Sequence, residues 1–193
     1  MIIGITGGIG SGKSVIARKL HDKYGFTIYD TDSEAKRIIS YDTEVKQQVE
    51  DLLGSDVFDN NGYNTVIAAQ RLFADRNLLR KMNNIVHPAV AKDIHRHKNG
   101  NLLIESALLF DVPAIANECE AVIAVIAPTE TRIQRAMMRD GADRKQITAR
   151  MDRQMSSEEM ATKADIVVNN DGSRSIDQLA DEIYKLLYKN IIV

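Results

Sequence analysis

Residues 7–14 read Gly7-Gly8-Ile9-Gly10-Ser11-Gly12-Lys13-Ser14. The glycine-rich run closes on Lys-Ser with the spacing G-x-x-x-x-G-K-[ST]. Each residue type has a chemical use at its place. Glycines let successive backbone N–H groups turn inward, and they leave room for phosphate oxygens to approach the backbone. Lys13 supplies a mobile cation for the β- and γ-phosphates of a nucleotide, and Ser14 offers a hydroxyl to Mg2+. The bland alternative is a structural glycine turn, and the flanking residues argue against it. Ile2, Ile3, Ile5 and Thr6 are β-branched and read as a short buried strand. Ser14 to Leu20 has helical spacing, so a helix N-terminus adds its partial positive charge behind the loop. A dinucleotide-binding turn needs G-x-G-x-x-G. Gly8-Ile9-Gly10-Ser11-Gly12 has the wrong interval, and Lys13 would have no role in it.

Other residues bear chemistry that a phosphate site could use. Asp30 and Asp32 stand two apart at the end of a second apolar run. Phosphoryl transfer to an alcohol needs an acceptor for the hydroxyl proton and help with Mg2+, and a carboxylate at a strand end opposite the loop suits both. Asp32 would equally suit the N-cap of a helix beginning Ser33-Glu34. Glu105 ends a third apolar run, where it either holds Mg2+ through water, orients a hydroxyl, or caps. Between Thr129 and Thr162 lie Arg132, Arg135, Arg139, Arg144, Arg150 and Arg153, which read plainly as a solvated basic helix. Arg135 and Arg139, however, are four apart and share one helix face. Two like charges there repel unless an anion sits between them, so a mobile arginine lid over a phosphate is the functional reading. His87 precedes Pro88, which most simply starts a new helix. His95 and His97 are two apart and do not share a helix face, which argues against a metal site. Asn170-Asp171-Gly172-Ser173 is first a turn, lying where such a fold offers backbone groups to a purine.

The elements that must position these residues alternate. Strands are expected at Gly25–Asp30, Asn101–Glu105, Ala121–Ile126 and Ala164–Asn169 in addition to the first, and Ala121–Ile126 is apolar enough to be buried on both faces. Strands alternating with helices give a parallel sheet with helices on both sides. The stretch 33–98 is too long for a simple crossover. It reads as an inserted helical lobe with breaks at Gly54, at Asp59-Asn60-Asn61-Gly62 and at Pro88. The expected fold class is α/β: a P-loop NTPase fold with a doubly wound parallel five-stranded sheet, an inserted helical substrate lobe and a helical lid. The core comprises residues 1–32 and 99–193, the lid about 139–162, and the acceptor lobe 33–98. Ile176, Leu179, Ala180, Ile183, Leu186 and Leu187 form a core stripe on the last helix.

Composition bounds the partners. The 193 residues carry 25 Lys and Arg against 27 Asp and Glu, a formal charge of −2, so no global basic surface points to nucleic acid. One cysteine, Cys119, rules out an internal disulfide framework and suits a reducing compartment. Its apolar neighbours mark it as a buried small hydrophobe rather than a reactive thiol. No apolar run approaches the roughly 18 residues of a membrane span, and no leader precedes the first strand. The expectation is a cytoplasmic protein acting on small molecules, with no nucleic acid or membrane partner and no oligomeric state that the sequence declares.

The ordered motifs resemble the dephospho-coenzyme A kinase family. Ile5 to Ser14 is similar to that family's opening, and Asp30-Thr31-Asp32 to its Asp-x-Asp. Asn83-Asn84-Ile85-Val86-His87-Pro88 is similar to its lobe motif, and Glu105 to Asp111 to its segment after the third strand. Gln134-Arg135 to Arg139-Asp140, Arg153-Gln154 and Ala164 to Ser173 follow in order. The departures are Glu105 where Asp is common, Ala107 where Pro is common, Asp111 where Glu is common, and Asn64-Thr65 where many members carry Asp-Arg. The resemblance implies ATP-dependent phosphorylation of the ribose 3′-hydroxyl of dephospho-coenzyme A, with Mg2+ as cofactor. It implies Lys13, Asp32 and Arg139 as catalytic residues. Gly8, Ile9, Gly10, Ser11, Gly12, Lys13, Ser14, Arg135, Asn170 and Gly172 would bind nucleotide, and Ser14 the metal. Asp32, His87, Glu105 and Leu109 would contact the acceptor. The loop, lid arginines and acidic strand end fit another small-molecule kinase equally well. A nucleotide switch is the reading from a different class, but the chain has no Asn-Lys-x-Asp for guanine.

Overall fold

The computed structural model describes residues 1–60, 62–97 and 100–191. Asn61 of the expected turn and the expected lobe boundary at 98–99 lie outside the described residues. The chain forms β1 (Ile2–Thr6), α1 (Lys13–Tyr24), β2 (Thr27–Asp30), α2 (Thr31–Tyr41) and α3 (Thr43–Leu53). A short 3-10 turn and a small hairpin of β3 (Phe58–Asp59) and β4 (Gly62–Tyr63) lead to α4 (Thr65–Ala74) and α5 (Arg76–Arg96). There follow β5 (Leu102–Glu105), α6 (Pro113–Ala116), β6 (Ala121–Ile126), α7 (Thr129–Asp140), α8 (Arg144–Met151), α9 (Ser157–Lys163), β7 (Ile166–Asn169) and α10 (Ile176–Ile191). Two compact units result, Met1–Tyr29 with Lys98–Val193, and Asp30–His97.

The first unit is built on a five-stranded sheet in the order β2-β5-β1-β6-β7. β1 runs parallel to both β5 and β6, and β6 parallel to β7. The chain therefore leaves the central strand toward both edges, which is the doubly wound arrangement and puts the ends of β1, β5 and β6 at a topological switch point. All five residues of β1 are buried, as a strand covered on both faces requires. Ile3, Ile5, Ile16, Ala17 and Leu20 pack with Leu179, Ala180, Ile183 and Leu187 of α10. Each fully buried side chain of this kind contributes about 1.5–3 kcal/mol. β2 begins at Thr27, two residues later than expected. Gly25, at φ 71°, instead ends α1, and its N–H donates to the His21 carbonyl, as a left-handed glycine cap does.

The second unit is helical, with Ile38, Val45, Val49, Val86, Val90 and Ile94 buried. Its four helices start alike: the side chains of Asp30, Asp42, Asn64 and Asp75 accept N–H groups from the first turns of α2, α3, α4 and α5. Such caps contribute about 0.5–2 kcal/mol each. Asn64, the departure from the resembled family, thus has a local task. The cap expected of Asp32 belongs to Asp30. Pro88 does not start a helix; α5 runs through it from Arg76 to Arg96. Proline supplies no N–H to the carbonyl of Asn84, but the buried stripe Val86, Val90 and Ile94 on either side holds the helix together.

Gly4 sits where β1 faces the segment after β5. A methyl placed there would lie 2.5 Å from Leu109 Cδ2 and 3.0 Å from Cys119 Sγ. We expect Gly4→Ala to destabilise the fold by about 1–3 kcal/mol through overpacking. Leu109→Ala alone should cost about 2–5 kcal/mol. In the double variant the two losses, read from urea unfolding midpoints, should add to less than their sum, because the cavity made by one receives the methyl of the other. Full additivity would contradict this packing.

Candidate functional site

The glycine loop leaves the end of β1 and runs into α1. Gly10 and Gly12 have φ of 77° and 92°, a left-handed region that only glycine enters without strain. The loop closes on itself by a bond from Ser11 N–H to the Gly8 carbonyl at 3.1 Å, and the Gly12 carbonyl accepts from Val15 and Ile16 N–H, both at 3.1 Å, opening the helix. Among the described residues the N–H groups of Gly10 and Gly12 have no hydrogen-bond partner. Thr6 Oγ1 and Ser11 Oγ are likewise buried without one. Unpaired donors in a left-handed turn at a helix N-terminus are what a phosphate needs.

The loop's outer side is held by side chains from distant segments. Asn170 Nδ2 donates to the Ser11 carbonyl at 2.8 Å, Arg135 Nη1 to the Asn170 carbonyl at 3.0 Å, Arg132 Nε to the Ile9 carbonyl at 3.0 Å, and Ile9 N–H to Gln154 Oε1 at 2.9 Å. A β-carbon on Gly8, Gly10 or Gly12 would come within 2.2 Å of Arg132 or Asn170. These glycines therefore also admit the supporting side chains.

Ser14 Oγ donates to Glu105 Oε1. The sheet makes this pairing: β5 is the neighbour of β1, and Ile5 lies opposite Glu105 in register. A hydroxyl beside a carboxylate is a pair of hard oxygen donors of the kind that holds Mg2+ together with waters and substrate phosphates. The chemistry of Ser14 and of Glu105 beside it thus fits a magnesium ion.

Several expected site residues are placed differently. Leu109 is 0% exposed and packs beneath Gly4, so its side chain serves the core. Asn170 is buried, and its side-chain amide supports the loop. Gly172, at φ 95°, shapes an exposed turn in which Asp171 accepts from Ser173 N–H and Oγ. Arg135 and Arg139 share a helix but not an anion: Arg139 is exposed and pairs with Asp140 at 2.7 Å, and Asp140 also accepts from Arg150 at 2.8 Å. Asp32 is exposed in the first turn of α2. His87 is half-buried on α5, where burial holds its ring below the usual histidine range and so neutral at pH 7. Arg132 and Gln154 carry the loop without having been assigned a role; the signal for Arg132 was its place one turn before Arg135 on the same face.

A phosphate-shaped loop on the central strand of a parallel sheet, ending in Lys-Ser with a carboxylate on the adjacent strand, defines a P-loop kinase fold. Comparison with known proteins narrows this. Residues 1–175 match the family model of dephospho-CoA kinase. A dephospho-CoA kinase of Bacteroides fragilis is 37% identical over 194 residues, covering 98% of this chain and 94% of the relative. One of Porphyromonas gingivalis is 40% identical over 153 residues, covering 77% and 75%. The crystal structure of TT1252 from Thermus thermophilus superposes with a TM-score of 0.80 at 29% identity, covering 98% of this chain and 97% of that one. The chain belongs to the dephospho-CoA kinase family.

Cys119 stands apart from this chemistry. Burial, with smaller contributions from Glu118 and Asp165, pushes its thiol up to about 12. The thiolate is the reactive form, so we expect iodoacetamide labelling of the folded protein to rise about tenfold per pH unit from pH 8 to pH 10. Labelling of the unfolded chain should level off near its ordinary value of about 8.5. A plateau near pH 9 in the folded protein would contradict the burial.

Proposed function

We infer that this protein transfers the γ-phosphoryl group of ATP to dephospho-coenzyme A, giving coenzyme A and ADP. The family match over residues 1–175 carries this reading, and the P-loop with its Ser14–Glu105 pair supplies a chemistry consistent with it. The acceptor oxygen is the ribose 3′-hydroxyl, and the setting is a reducing cytoplasm, which suits a single, partly buried free thiol.

The loop N–H groups and the N-terminus of α1 receive the phosphate chain, and Lys13 balances charge on its β- and γ-oxygens. Mg2+, held by Ser14 with Glu105 orienting that hydroxyl, would neutralise charge shared by the β- and γ-phosphates when bound. Asp32 accepts the proton of the attacking hydroxyl. It stays exposed at the start of α2 because Asp30 does the capping, which leaves its carboxylate available for that task. Arg139 stabilises the transferring phosphoryl group after leaving Asp140, an exposed pair that costs little to break. Arg135 stays near the nucleotide through Asn170. The helical unit, with His87 neutral, binds the acceptor, and closure of the lid excludes water so that ATP is not hydrolysed idly.

ADP release should depend on dephospho-coenzyme A and not on adenosine, AMP, shikimate or gluconate. Release with another acceptor alone would keep the fold and discard this substrate. Lys13→Ala should lower kcat at least about a hundredfold, as removal of one transition-state donor does; near-normal turnover would sink the role. Asp32→Asn is isosteric and should cut kcat about 10²–10⁴-fold with ATP affinity nearly kept, as loss of a general base does. Collapse of ATP affinity with kcat intact would make Asp32 a metal or structural residue.

A further inference from the structure

Arg132 is an unusual cation. It is 6% exposed, yet among the described residues it forms no ion pair within 4.0 Å. Glu158 is the acid that acts on it electrostatically, and burial lowers its proton affinity. A buried guanidinium without a carboxylate is costly unless something else uses its charge and its donors. Its donors go to the glycine loop and to the lid: Nε to the Ile9 carbonyl at 3.0 Å and Nη1 to Ser157 Oγ at 3.1 Å. Its Nη2 lies 2.0 Å from where a Gly8 β-carbon would stand, and its own carbonyl 2.1 Å from the same position on Gly10. Residues 8 to 10 of the loop are moulded round this one residue.

Gln154 holds the preceding peptide group, accepting from Ile9 N–H at 2.9 Å, so the two peptide planes that meet at the Ile9 Cα are each bonded. It sits between α8 and α9, and Ser157 is the first residue of α9. The lid's C-terminal part, Gln154 to Ser157, is thus fastened to the loop at Ile9 by two independent bonds, one of them relayed through Arg132. The N–H groups next along the loop, at Gly10 and Gly12, are those left without partners. The Ile9 carbonyl shares a plane with the Gly10 N–H, so rotating that plane would re-aim the Gly10 donor, as rotating the Ser11 carbonyl held by Asn170 would re-aim that of Gly12.

We propose that Arg132 and Gln154 are positioning residues that clamp the two peptide planes flanking Ile9, so that the segment Gln154–Ser157 sets the aim of the Gly10 N–H toward phosphate. The clamp is a fixed anchor for the lid. Lid movement therefore belongs to the arginine-bearing stretch before Gln154, and not to the whole of 139–162. Arg132 adds its unneutralised charge beside Gly8, where a bound triphosphate supplies the missing anion.

The inference rests on reading the loop as an ATP site, and a binding experiment separates the two. ATP affinity would be measured by calorimetry on the full chain, with Tm recorded with and without saturating Mg-ATP, for wild type, Gln154→Leu, Arg132→Met, the double variant and Ser157→Ala. Each of the first two should weaken ATP about tenfold, the order expected for a lost hydrogen bond that also leaves a buried group unpaired. The double variant should lose less than the product of the two, since both act on adjacent peptide planes that share the Ile9 Cα. The ATP-induced rise in Tm should shrink with the affinity. Ser157→Ala removes only an outer hydroxyl, and should weaken ATP about two- to threefold; it keeps the test decisive where Arg132→Met fails to fold. A merely structural role would lower Tm equally with and without ATP and leave the affinity at the wild-type value, which would overturn the clamp. Absence of ATP binding by the wild type would overturn the ATP reading itself.

Discussion

A loop that presents several backbone N–H groups to one anion has a basic difficulty: those donors point at each other's partial charges and cannot be paired internally. Something outside the loop must hold the peptide planes in that attitude. Here the means are glycines at φ 77° and 92° and side chains that seize the loop's outward carbonyls at Ile9 and Ser11. Everything that follows depends on this constraint. The segments that supply Arg132, Gln154 and Asn170 must return to the end of β1, and the doubly wound sheet is what returns them. The crossover from β6 to β7 brings α7 and the turn at Asn170 to the end of β1 beside the loop.

The sheet solves the metal problem by the same means. β5 lies next to β1, and parallel register puts Glu105 level with Ile5. The carboxylate therefore meets the hydroxyl of Ser14 one loop later. No sequence spacing announces that pair, since 91 residues separate its members. It exists because a helical unit can be inserted between adjacent strands without disturbing their register.

What was legible in the sequence follows from how local each signal is. The glycine loop, the apolar strands and the stripe of α10 are short-range patterns, and the structure forms them within a residue or two. The acidic caps of the lobe were readable in type but not in assignment. Asp30 and Asp32 are both good caps, and the choice turned on where β2 stops. Pro88 misled because the proline rule is local while α5 is held by buried residues a turn away on either side. Leu109, named only through the resemblance, sits in the core because the absence of a side chain at Gly4 opens a hole that this large apolar neighbour fills. Gln154 reaches the loop through a tertiary contact that nothing in its own neighbourhood marks, whereas Arg132 had only its place one turn before Arg135 to single it out.

Phosphoryl transfer is followed through the fate of the transferred group itself. With ATP labelled on its γ-phosphate and dephospho-coenzyme A as acceptor, the label should appear in coenzyme A at one equivalent per ADP formed, on the ribose 3′-oxygen, with Lys13→Ala as the silent control. Label recovered only as inorganic phosphate would contradict the account, as would label in coenzyme A that persists undiminished in the Lys13→Ala protein.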